Sequence, residues 1–85
     1  MVNIELDLLS ENEFKNFEII DLSHNNISNI ESLKNFKNVK SIDLSFNKIN
    51  DITPIKQLTK YNKKLENLNL GNNKIKDVKI LKENI

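Results

Sequence analysis

Three stretches of the chain superimpose when they are aligned on a single asparagine. They are FEIIDLSHNNISNIESLKNF (17–36), VKSIDLSFNKINDITPIKQL (39–58) and LENLNLGNNKIKDVKIL (65–81). Counting from the first residue of each, apolar side chains recur at positions 1, 4, 6, 11, 14 and 17. They are Phe17, Ile20, Leu22, Ile27, Ile30 and Leu33, then Val39, Ile42, Leu44, Ile49, Ile52 and Ile55, then Leu65, Leu68, Leu70, Ile75, Val78 and Leu81. Position 9 is asparagine each time: Asn25, Asn47 and Asn73. The step is 22 residues from the first unit to the second and 26 from the second to the third. A repeat of this length constrains the fold severely. One unit cannot bury its own apolar face, so successive units must stack as coils.

Each unit carries its own local instructions. Alternation at positions 4 and 6 predicts a short strand with one face inward. The asparagine at position 9 turns the chain out of that strand. Its amide can donate to and accept from main-chain groups that the turn would otherwise leave unpaired. The four extra residues of the second unit fall within TKYNKK, between Leu58 and Leu65, and are expected to bulge as a loop. Ahead of the repeats, IELDL (4–8) alternates like a strand, and Ser10 with Glu13 forms an S-x-x-E capping box that predicts a helical turn to about residue 17. Strands are therefore expected near residues 7, 21, 43 and 69. At the other end Val78, Leu81 and Ile85 are spaced to form one covering turn. Without it, the last coil exposes an open sheet edge, to be covered by a partner or by further chain.

The pattern LxxLxLxxNxIxxIxxL resembles the leucine-rich repeat, in its short 22-residue class, over Phe17 to Leu81. Similar repeats build a phosphatase regulatory subunit, an axonemal dynein light chain, a protein subunit of a spliceosomal ribonucleoprotein, and bacterial internalins. DITPIKQLTK (51–60) is internalin-like in particular. The resemblance implies an α/β fold: a right-handed solenoid with a short parallel β-sheet on its concave face and irregular or 3-10 return arms. It implies one domain, 1–85, divided into a compressed N-terminal coil or cap (1–16) and repeats 17–38, 39–64 and 65–85. It also implies that partners bind on the concave face.

Composition bounds the function. No cysteine is present, so disulfides and thiolate metal sites are excluded. The N-terminus lacks a basic leader, and no apolar run approaches the ~20 residues of a membrane span. A cytoplasmic or nuclear, membrane-free location is the expectation. One glycine, Gly71, cannot build a phosphate loop. Asp21 and Asp43 would lie one sheet rung apart, about 4.8 Å, but no third acid completes a cation cage. His24, the single histidine, has no second histidine or cysteine beside it and reads as a surface residue. No cofactor, small-molecule substrate or enzymatic activity is expected.

Binding remains. The outward strand positions give the columns Ile19, Ser41, Asn67 and Asp21, Asp43, Asn69, with His24, Phe46 and Asn72 at the turn beyond. Ile19 and Phe46 are apolar anchors among polar neighbours, an arrangement suited to a protein partner. Charge is uneven: residues 1–33 hold seven acids and one lysine, whereas residues 34–85 hold twelve lysines and five acids. Lys56, Lys60, Tyr61, Lys63 and Lys64 form a lysine-rich segment suited to RNA phosphates, with Lys34, Lys37 and Lys40 one coil earlier. All thirteen cations are lysine, and with sixteen asparagines and twelve isoleucines they fit an AT-rich genome, which dilutes the meaning of the patch. The expected function is a non-enzymatic protein-binding module or small subunit of a larger intracellular assembly. The alternatives are a ribosome- or ribonucleoprotein-associated subunit touching RNA, and a fragment of an internalin-like adhesin.

Overall fold

A computed structural model of the chain describes Leu6 and residues 9–75. The elements run α1 (Glu11–Asn16), β1 (Ile19–Asp21), a 3-10 helix (Glu31–Asn35), β2 (Ser41–Asp43), α2 (Thr53–Tyr61) and β3 (Asn67–Asn69). The strands form one parallel sheet in the order β1-β2-β3. Ile19, Ser41 and Asn67 stand in register, as do Ile20, Ile42 and Leu68, and Asp21, Asp43 and Asn69. These are the three columns that the apolar spacing predicts.

Main-chain pairing between coils runs past the strands. Leu22 N–H donates to Asp43 O at 2.8 Å and His24 N–H to Ser45 O at 3.1 Å. One coil on, Leu44 N–H donates to Asn69 O at 2.8 Å and Phe46 N–H to Gly71 O at 3.0 Å. The asparagine at position 9 then staples each turn to the coil before it. Asn47 Oδ1 accepts from Asn25 N–H and Ile27 N–H, both at 2.9 Å. Its Nδ2 donates to Leu22 O, Leu44 O and Ser45 O. Asn73 repeats the arrangement, accepting from Ile49 N–H and donating to Leu44 O, Leu70 O and Gly71 O. Asn25 breaks the series. Both of its side-chain polar atoms are buried without a hydrogen-bond partner.

The core follows the repeat register. Leu22, Leu33, Val39, Leu44, Ile49 and Ile55 are entirely out of solvent, each stabilising the fold by about 1.5–3 kcal/mol. Phe36 and Leu58 join them from the ends of the return arms. At the N-terminal end α1 lies over this core. Ser10 Oγ accepts from Glu13 N–H and the Glu13 carboxylate from Ser10 N–H, completing the capping box. Phe14 on α1 is buried and meets Phe36 edge-on, with ring centroids 4.8 Å apart. The expected first strand over 4–8 lies outside the described residues except for Leu6, which is buried and whose carbonyl accepts from Leu9 N–H in a turn. The expected covering turn of Val78, Leu81 and Ile85 also lies outside them.

The return arms need a correction. The first is a 3-10 helix, as expected, but the second is an α-helix of nine residues. TKYNKK does not bulge as a loop: its first three residues, Thr59, Lys60 and Tyr61, extend α2. The physical reasons are local. Asp51 Oδ1 accepts from Thr53 N–H at 2.9 Å, Pro54 sits in the first turn where its missing donor is harmless, and Ile55 and Leu58 share the inward face. Asn29 plays the part of Asp51 in the first coil, accepting from Glu31 N–H, but the shorter step leaves room only for the tighter helix. Buried Asn62 ends α2 by donating Nδ2 to Val39 O at 2.9 Å and accepting from Lys64 N–H.

Candidate functional site

Of the nine residues that the sequence marks for a partner, six stand on the strands of the sheet and three, His24, Phe46 and Asn72, at the turn beyond them. Ile19 is 78 % exposed at the start of β1, beside Ser41 and Asn67 in register. Asp21, Asp43 and Asn69 form the next outward column. Each of these brackets its own strand exit. Asp21 Oδ1 accepts from the Ser23 N–H at 2.9 Å and hydroxyl at 2.6 Å, and Asp43 does the same with Ser45. Asn69 Oδ1 accepts from Gly71 N–H at 2.9 Å. The carboxyl of Asp21 is held below the usual carboxylate range, first by the Ser23 hydroxyl and then by the Ser23 N–H, with a smaller contribution from His24. Ser23 and Ser45 are buried by this work, so the column is anchored from beneath.

Beyond the brackets the chain enters the left-handed region at the same point of every coil: φ is 58° at His24, 57° at Phe46 and 55° at Asn72. Asparagine and histidine tolerate that conformation, but a phenylalanine there costs roughly 1–2 kcal/mol. The repeat geometry demands the turn; it does not demand an aromatic. Here the two rings stack, with centroids 4.4 Å apart and planes within 9°. Phe46 remains 50 % exposed. The sequence gives both residues to the surface, but their stacking escapes a reading along the chain. Reading down the column at the 22-residue step shows two rings at one position, which is the available signal.

A second cluster lies on the return-arm side. Tyr61 closes α2, 52 % exposed. Lys37 Nζ sits over its ring at 5.0 Å from the centroid and Lys60 Nζ at 5.3 Å. Lys37 also donates to Lys34 O at 3.0 Å. Lys56 stands one turn before Lys60 on the same helix, and Lys63 and Lys64 follow in the turn. The lysine-rich segment is thus a helix face with its adjoining turn. Lys37, from the coil before, is a member of it. Lys40 is set apart, at 3.2 Å from Glu18 in the one ion pair among the described residues.

Among the described residues, no group of three or more His, Cys, Asp or Glu is placed to hold a metal ion. No helix among them is long and apolar enough to cross a membrane. A family model described as Leucine Rich repeats (2 copies) matches the chain over residues 15–57 and again over 37–83. The chain belongs to the leucine-rich repeat family. Leucine-rich repeats generally mediate protein–protein interaction and are typically non-enzymatic, and the described coils have the parallel sheet of an α/β leucine-rich repeat fold. The comparison with curated proteins gives no match.

Proposed function

We propose that this chain is a non-enzymatic binding module of the short, 22-residue repeat class, a subunit of a larger intracellular assembly, that holds a protein partner on its outward sheet face. The His24–Phe46 stack carries the reading. Phe46 occupies a position where the backbone favours asparagine, histidine or glycine, and it stacks on His24 and meets solvent instead of the core. Strain retained beside exposed apolar surface marks a place where a contact is made. Ile19 offers a second apolar anchor at the far end of β1, with polar Ser41, Asp21 and Asp43 between the two and Asn67 on the strand beyond, as in a hot spot with a polar surround. The coils are taken as right-handed, the hand that parallel crossover connections adopt. Half-buried Leu65, Leu68, Leu70 and Ile75 favour a partner that also covers the C-terminal end.

The test separates strain from contact. Phe46→Asn copies the residue found at the same turn in the third coil. It is expected to keep or raise stability by up to about 1 kcal/mol, since asparagine suits the left-handed backbone, while abolishing partner capture. Affinity purification from the native cell compares the wild type with this variant after nuclease treatment. A protein retained equally by both removes the stack from the binding surface.

A second reading is favoured by one observation: among the described residues Lys34, Lys37, Lys56, Lys60, Lys63 and Lys64 have no carboxylate partner, and Lys37 and Lys60 converge on exposed Tyr61. This is the footprint of a ribonucleoprotein-associated subunit touching RNA with its return arms.

A further inference from the structure

We infer that the α2 face binds single-stranded nucleic acid through phosphates alone, and that Tyr61 organises two of the ammonium groups instead of stacking a base. The inference rests on the second reading above and narrows it. Three observations favour a polyanion of this kind over an acidic protein. Among the described residues the lysines of this face have no carboxylate partner, which leaves their charge to act outward. Among the described residues, the exposed large apolar side chains Ile19 and Phe46 lie on the sheet side, and this face exposes the Tyr61 ring alone among such groups. Protein interfaces are built on apolar or aromatic anchors and are depleted in lysine, whereas phosphate binding needs charge alone. Every cation is lysine, a point charge without the planar fork that reads base edges.

The role of Tyr61 follows from its neighbours. An exposed tyrosine in a basic groove ordinarily offers a face to a base. Here Lys37 from the first coil and Lys60 from α2 are both drawn over the ring, each contact worth the modest attraction of an exposed cation and an aromatic quadrupole. Stacking a base would compete with contacts already made within the chain. Left in place, they hold two ammonium groups from different coils at 5.0 and 5.3 Å from the centre of one ring, and each still has N–H donors for a phosphate oxygen. Such a site is indifferent to base identity.

The chain has one tyrosine and no tryptophan, so its intrinsic emission reports on Tyr61 alone. The experiment titrates the whole chain with oligo-U and oligo-dT of about 20 nucleotides at several salt concentrations. Affinity is expected to fall with a log–log salt slope of about −4 if all six lysines act, equally for both polymers, with little quenching of tyrosine emission. Tyr61→Leu should lower affinity by about twofold with the salt slope unchanged, because Lys37 and Lys60 lose the ring that gathers them, whereas Lys60→Ala should reduce the slope by about 0.7. Strong quenching, with a loss of about fivefold or more in Tyr61→Leu, would mean that a base stacks; the lysine-face reading then stands and the inference falls. Absence of salt-dependent binding at about 50 mM salt overturns both. Polyglutamate binding as tightly as oligo-U overturns the choice of nucleic acid over acidic protein.

Discussion

Leu44 and Leu70 hold the same position in two successive coils, yet Leu44 has no exposure and Leu70 is only half-buried. The contrast extends along both coils. Val39, Ile42, Ile49, Ile52 and Ile55 of the second are buried, whereas Leu65, Leu68 and Ile75 of the third are partly open. Strand β2 pairs on both sides and β3 on one among the described residues. The repeat code therefore fixes which side chains point inward, but neighbouring coils decide how much each contributes. The sharpest test is a matched pair. Leu44→Ala is expected to cost about 3–5 kcal/mol and Leu70→Ala about 1–2 kcal/mol, measured by urea unfolding. Equal costs would mean that the third coil is sealed as well as the second.

The asparagine ladder offers a smaller and more selective comparison. Asn47→Ala would orphan two N–H donors and the Leu22 carbonyl, while Leu44 O keeps its bond from Asn73 Nδ2 and Ser45 O its bond from His24 N–H, at a cost of about 2–3 kcal/mol. Asn73→Ala should cost about 1–2 kcal/mol, its turn being closer to solvent, where water replaces lost partners. Asn25→Ala should be neutral or slightly stabilising, because its buried amide is already unpartnered. The order of the three midpoints is the measurement. A large loss for Asn25→Ala would show that the first coil is stapled to the cap after all.

These comparisons also explain what was legible in the sequence. The positions of Ile20, Ile42 and Leu68 were readable because burial recurs at fixed spacing, and a parallel stack turns that spacing into register. The Ser10–Glu13 box was readable because its chemistry is local. The helical second arm was less so. Ile55 and Leu58 serve a 3-10 turn as well as an α-helix, and the choice was made by coil length together with Asp51 and Pro54. Asn62 ties the end of α2 to Val39 as Asn38 ties the end of the first unit to Lys15, but the two sit at different places in their units, so no fixed periodicity flags them. The stack of His24 on Phe46 and the gathering of Lys37 and Lys60 about Tyr61 depend on side chains from different coils. Column positions suggest such meetings; distances and backbone φ establish them.

The weakest expected effect probes the strand-exit bracket. In the first two coils a carboxylate holds both the N–H and the hydroxyl of a serine, while in the third Asn69 holds only the Gly71 N–H. Gly71 has no left-handed φ to protect, and a Cβ placed on it would meet Asn69 Oδ1 at 3.2 Å. That oxygen occupies the place of the carboxylate atom to which Ser23 and Ser45 each donate at 2.6 Å. Gly71→Ser should therefore add a hydrogen bond and lower the entropy of the unfolded chain, raising stability by about 0.5–1 kcal/mol. Adding Asn69→Asp should return little or none beyond this. A third carboxylate would then stand in register with Asp21 and Asp43, and like charges on adjacent strands repel by a comparable amount. Thermal unfolding of the single and double variants at low and high salt decides the matter. If the double variant gains on the single only at high salt, repulsion is what separates a third bracket from the first two.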